Sequence, residues 1–141
     1  MIAKEEDRFR AARRKSDELW RKARASSPRG VPSSFQDASP QPIFIENGRG
    51  SRIWDVDGNE YVDFHNGFGV MVVGHAHPLI VEAISERARL GTHFAQPGED
   101  VVVVARELAR RFKQPQWRFT NSGTAVSYTH LQCRANLTRR Q

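Results

Sequence analysis

The chain has 141 residues, 38% of them hydrophobic, with a mean hydropathy of −0.63 and a formal charge of +6. No apolar run approaches the roughly 20 residues that span a bilayer, and the charges from Lys4 onward leave no apolar stretch of the signal-peptide kind, so neither a membrane protein nor an exported one is expected. Cys133 is the only cysteine, which rules out an internal disulfide and points to a reducing, cytoplasmic setting.

The positive charge sits at the two ends. Residues 1–30 carry ten Lys/Arg against five Asp/Glu, residues 31–125 nine against eleven, and residues 126–141 three Arg and no acid. The middle is mildly acidic, and a solvated helix or tail accounts for the basic excess without a nucleic-acid partner.

From Glu5 to Ala25 there is no Gly or Pro, and Phe9, Ala12, Leu19, Trp20 and Ala23 recur at helical spacing among charges. This predicts one exposed basic helix within residues 1–27. Residues 28–42, with Pro28, Gly30, Pro32, Pro40 and Pro42 among serines, read as a connector. Ile43 to Glu46, Arg52 to Val56 and Glu60 to Phe64 are β-type runs separated by Asn47-Gly48-Arg49-Gly50 and Asp57-Gly58-Asn59, so a small antiparallel meander is predicted over residues 43–77. Strand alternation puts Asp55, Asp57 and Asp63 around a turn and on a solvent face, where no metal site is expected.

The glycine-rich stretch His65 to His77 reads as a buried or site-lining loop. His75-Ala76-His77 lacks the further ligands a zinc site needs, and a structural role such as capping the next helix is expected. A helix is predicted from Pro78 to Leu90 with Gly91 at its C-terminal cap, and a second from about Glu99 to Phe112, stopped by Pro115. Trp117 to Thr120 reads as a short strand running into Asn121-Ser122-Gly123-Thr124. A strand turning through small hydroxylated residues into a helix can present backbone N–H groups to a phosphate, although the same tetrapeptide also makes an ordinary turn. His65, His93 and Ser122 form no hydrolase pattern.

Four stretches in order and spacing, Pro42 to Glu46, Gly50 to Phe64, Gly74-His75-Ala76-His77-Pro78 and Asn121 to Thr124, resemble the class III aminotransferases. Within that family the chain most resembles the glutamate-1-semialdehyde aminomutases and their aminotransferase relatives. Pro28-Arg29-Gly30-Val31 is similar to their P-G-G-V, and Gly91-Thr92-His93-Phe94-Ala95-Gln96-Pro97 to their G-T-x-F-G-x-P. The resemblance covers about Ser16 to Thr124.

It implies an α/β fold, the pyridoxal-phosphate (PLP) transferase fold type I, of which this stretch is an α+β piece. Residues 43–77 would belong to the small domain, and residues 78–124 would open the large, cofactor-binding domain. It further implies PLP as cofactor, a small amino and keto or aldehyde substrate, and a cytoplasmic homodimer. Ser122, Gly123 and Thr124 would cradle the cofactor phosphate, and Phe68, Thr92, His93 and Phe94 would line the substrate pocket or reach the partner's site. Lys4, Lys15, Lys22 and Lys113 are the chain's lysines, and none matches the family's Schiff-base lysine, which comes far downstream of the S-G-T motif. The chain itself is therefore expected to be an inactive N-terminal fragment; a non-catalytic binding module is the alternative.

Relatives continue S-G-T-E-A into a long amphipathic helix, whereas Ala125 to Arg134 shows no such period. Val126 to Leu131 looks like translated sequencing-adaptor read-through, so residues 125–141 are expected to be foreign to the natural protein. Phe68 stands where many relatives have Trp and Gly67 where aminomutases tend to have Ser, which leaves the substrate open.

Overall fold

The computed structural model describes residues 2–128, and the chain divides into two compact units with the boundary between Leu90 and Gly91. The first unit holds α1 (Ile2–Ala11), α2 (Arg14–Ala23), 3-10 turns at Pro28–Gly30 and Ser34–Gln36, an antiparallel sheet, a one-turn α3 (Asn66–Gly69) and α4 (Pro78–Arg89). The sheet has strand order β1-β2-β3, with β1 Ile45–Arg49, β2 Arg52–Asp55 and β3 Glu60–Val62.

The single helix predicted from Glu5 to Ala25 is two helices, broken where Arg13 takes φ −138° and ψ 50°. The cause lies far away in sequence. Both carboxylate oxygens of Asp57 accept from the first turn of α2, at 2.7 Å from Lys15 N and 2.9 Å from Ser16 N. Asn59 Nδ2 donates to Ala12 O at 3.1 Å and Gln41 Nε2 to Arg13 O at 3.0 Å. Side chains from the meander and the connector thus satisfy the backbone groups that a helix break would orphan.

The centre of this unit is polar. Ser16, Gln41 and Asp55 are buried, with Asp55 at 0% exposure, beside the apolar Val31 at 7%. Strand alternation places Asp55 on a solvent face; instead the Asp57–Asn59 turn and Tyr61 fold over it. Its Oδ1 accepts from Asp57 N (3.0 Å) and Asn59 N (2.8 Å), and its Oδ2 from Asn59 Nδ2 (2.8 Å) and the Tyr61 hydroxyl (2.5 Å). Arg13 Nε donates to the same hydroxyl oxygen at 2.8 Å. Burial alone would push the Asp55 carboxyl up, but these hydrogen bonds outweigh it and hold it below the usual range. Asp57 behaves likewise, burial opposing the Lys15 and Ser16 N–H groups that prevail.

The meander's first hairpin is tighter than its sequence implies. β1 runs through Gly48 and Arg49, a bulge lies between Ile45 and Asn47, and Arg49 faces Arg52 across a two-residue corner at Gly50 and Ser51. Gly50 takes φ +58° there.

Helix α4 matches its expected bounds, with Leu90 as cap and Gly91 beyond it at φ +91°. The second unit contains α5 (Glu99–Phe112), opened by Glu99 and Asp100 and closed by a left-handed Lys113, and residues 123–128 are helical. Neither α4 nor α5 has a buried residue: Ile84 is 62% exposed and Val103 60%. The strand predicted at Trp117 to Thr120 is absent, because no described segment pairs with it; the Trp117 ring instead packs 5.5 Å from Phe112. Residues 129–141, most of the stretch expected to be foreign, lie outside the described residues. No helix of the described residues is long and apolar enough to cross a membrane.

Candidate cofactor and substrate site

Ser122 is the residue at which the chain turns into its last described helix. Its Oγ accepts from Ala125 N at 3.3 Å and its carbonyl from Val126 N at 3.2 Å, the bonding of a helix N-cap. The Gly123 and Thr124 amides open this helix, and Ser122 and Thr124 bring two hydroxyl side chains to the same turn. A Cβ built on Gly123 would meet nothing within 4 Å. Hydroxyls, N–H groups and the positive end of a helix dipole, with no acid among Asn121 to Thr124, fit a phosphate dianion.

Thr92, His93 and Phe94 form a separate exposed segment earlier in the same unit. Gly91 takes φ +91° at its start, where glycine is favoured, and an added Cβ would also push aside the exposed Phe94 ring, 2.7 Å away. Ala95 takes φ +53°, the left-handed region, where G-T-x-F-G-x-P has a glycine. Arg29 does the same at φ +58° within Pro28-Arg29-Gly30-Val31, and a Cβ added to the buried Gly30 beside it would lie 2.7 Å from the Trp20 ring. An L-residue held left-handed costs about 1–2 kcal/mol.

Phe68 belongs to the first unit. It sits in an unusual turn, since Asn66, Gly67, Phe68 and Gly69 take φ of 52°, 56°, 61° and 82° in succession. The turn α3 is thus left-handed. Its ring, 66% exposed, lies edge-on to His65 at 4.2 Å and to Phe35 at 5.7 Å between centroids. The glycine-rich sequence of this loop predicts a buried or site-lining segment; here Phe64, Phe68, Val70 and Val72 are all exposed. Below it an open hollow of about 440 Å³ is bounded by Ser51, Asp63, Asn66 and Met71.

His75 and His77 play different parts. His77 stands at the N-cap of α4 but caps it only through its carbonyl, which accepts from Ile80 N and Val81 N at 3.0 Å. The His75 ring turns instead to Asp63, with Nε2 2.6 Å from Oδ2. Sequence reasoning misses that pair: its members are 12 residues apart, and the one available signal is that both lie in motif stretches. The hydrogen bond from His75, then the N–H of Asn66, holds the Asp63 carboxyl below its ordinary range.

The Aminotransferase class-III family model matches residues 34–138. The chain belongs to this family. The match begins after the Pro28–Val31 motif and continues past Thr124 into the stretch expected above to be foreign. Glutamate-1-semialdehyde 2,1-aminomutase of Methanosphaera stadtmanae is 39% identical over 127 residues, 89% of this chain and 30% of that protein. Among solved structures, a glutamate-1-semialdehyde aminomutase from Pseudomonas aeruginosa superposes with a TM-score of 0.84 at 34% identity, over 92% of this chain and 29% of that one. A β-phenylalanine aminotransferase from Variovorax paradoxus gives 0.86 at 30% identity, over 97% and 32%. The chain thus spans about 30% of the length of the curated class III relatives it matches, and its α+β architecture is the corresponding part of the transaminase fold.

Proposed function

We propose that this chain is the N-terminal part of a cytoplasmic, homodimeric PLP enzyme that moves an amino group between amino-bearing and keto or aldehyde carbons. Conversion of glutamate 1-semialdehyde to 5-aminolevulinate is the first reaction to test. The observation that carries this reading is the helix start at Ser122 to Thr124, whose donors suit a phosphate and whose place in the chain falls within the class III match.

In this reading Ser122 and Thr124 hold the cofactor phosphate through their hydroxyls, with the N–H groups of the following helical turn. When bound, PLP supplies a carbonyl carbon for amine attachment and a ring that withdraws electrons from the amino carbon. Phe68, presented by its left-handed turn in the first unit, is assigned to orient substrate or to reach the partner's site, and so, within the second unit, are Thr92, His93 and Phe94. The chain's own lysines are exposed, on α1, α2 and the cap of α5. No turnover is expected from this chain alone.

The test is to read the source DNA past the codon for Thr124 and assay the encoded enzyme. A downstream cofactor-binding lysine and 5-aminolevulinate production from glutamate 1-semialdehyde support the reading. Transamination of other amines without that product reassigns the substrate, and a genomic stop at the present end removes the enzyme reading in favour of a binding module.

A further inference from the structure

The loop from Phe64 to Gly74 leaves the meander and returns to it at the same corner. Asp63 N donates to Ser51 O at 2.9 Å where the loop departs, and where it returns His75 and Gly50 exchange both backbone hydrogen bonds, at 2.8 and 2.9 Å. Two glycines make room for the return. A Cβ on Gly48 would lie 2.8 Å from the His75 ring, and one on Gly74 would lie 2.9 Å from the Gly50 carbonyl. Loops whose ends meet in this way are compact units shaped by their own side chains.

The Asp63 carboxylate joins the two ends and the turn between them. Its Oδ1 accepts from His65 N at 2.9 Å and from Asn66 N at 2.8 Å, the amides that lead into the left-handed turn, while its Oδ2 meets His75 Nε2 at 2.6 Å. The side chain of Asp63 is nearly buried and that of His75 about one-fifth exposed. Two non-glycine residues, Asn66 and Phe68, are held left-handed directly after these bonds. Such a conformation persists only where its surroundings over-determine it.

We propose that Asp63 and His75 form a positioning pair that fixes the left-handed Asn66–Gly69 turn and thereby sets where Phe68 presents its ring. The assignment of Phe68 to the substrate pocket rests on the function proposed above; the clamp itself does not. Ionised Asp63 is the acceptor and the imidazole the donor, consistent with the lowered carboxyl. Asp63 and His75 are thus positioning residues, acting on substrate only through Phe68.

Hydrogen exchange on the 141-residue chain tests this without cofactor or substrate. Gly69, Met71 and Gly74 donate to loop carbonyls, whereas Asp55 and Val56 donate within the meander and report on the scaffold. His75→Ala is expected to speed exchange at the three loop amides about tenfold, the scale of one lost charge-assisted hydrogen bond, with Asp55 and Val56 changed by less than about twofold. Asp63→Asn, which keeps an acceptor for the two backbone amides, is expected to have the same effect, and His75→Gln, which restores a side-chain donor, to recover most of the protection. Unchanged loop exchange in both His75→Ala and Asp63→Asn overturns the clamp, and so does equal acceleration of loop and meander, the mark of general destabilisation. Because Phe68 is not altered, either result leaves the pocket assignment to be judged by substrate kinetics alone.

Discussion

The N-terminal helices with their meander and the pair α4 and α5 are both rich in secondary structure, yet they treat water in opposite ways. Around Asp55 and Ser16 the chain closes on itself, joining residues more than 40 positions apart through buried polar bonds. On α4 and α5 Leu79, Ile80, Val81, Ile84 and Val101 to Val104 stand exposed, and Leu108 is half-buried. A hydrogen-bonded latch needs only its own few partners and completes itself locally. An apolar helix face is defined by whatever sheet it covers, and no described segment of the chain supplies that sheet.

The comparison breaks most sharply at Asp55. Replacing it with Ala orphans the Tyr61 hydroxyl and the Asn59 amide beside Arg13, and is expected to cost about 3 kcal/mol in urea denaturation. Acid should reach the same latch. The Asp55 and Asp57 carboxyls sit below the ordinary Asp value, so their stabilisation is complete above that unfolded value and is lost as pH falls through the lower folded values. Far-ultraviolet circular dichroism should therefore hold steady from neutral pH to about pH 5 and decline below about pH 4, with Asp57→Asn removing part of that decline.

In the second unit the larger gain should come from backbone rather than packing. Ala95→Gly relieves a left-handed alanine, and after the entropy of the freer unfolded chain it is expected to stabilise by about 0.5–1 kcal/mol in thermal denaturation. Val103→Glu is the smallest effect: under about 0.5 kcal/mol on stability, with less self-association by light scattering. A large loss from Val103→Glu would mean that α5 is covered after all.

What could be read from the sequence follows the same division. Helices α4 and α5 were legible because their ends carry local punctuation in Pro78, Gly91, Glu99-Asp100 and Pro115, and the meander because its turns fall at glycines. The break at Arg13 was not, since its cause is Asp57, 42 residues from Lys15. Asp55 misled for a related reason: alternation assigns a face but not the turn that later covers it. At Ser122 to Thr124 hydroxyls around a glycine mark a helix start in the sequence, and a helix begins there. The left-handed turn at Phe68 was hidden, because an aromatic residue rarely takes positive φ and the Asp63–His75 contact that accompanies it has no local pattern.

The measurement that bears most directly on the cofactor assignment is an amide chemical-shift titration of the chain with PLP, inorganic phosphate and phosphate-free pyridoxal. The expected result is that the Gly123 and Thr124 resonances move with PLP and with phosphate, do not move with pyridoxal, and stop responding in Ser122→Ala. Resonances that stay still with PLP, or that follow pyridoxal equally, would contradict a phosphate cradle at the start of this helix.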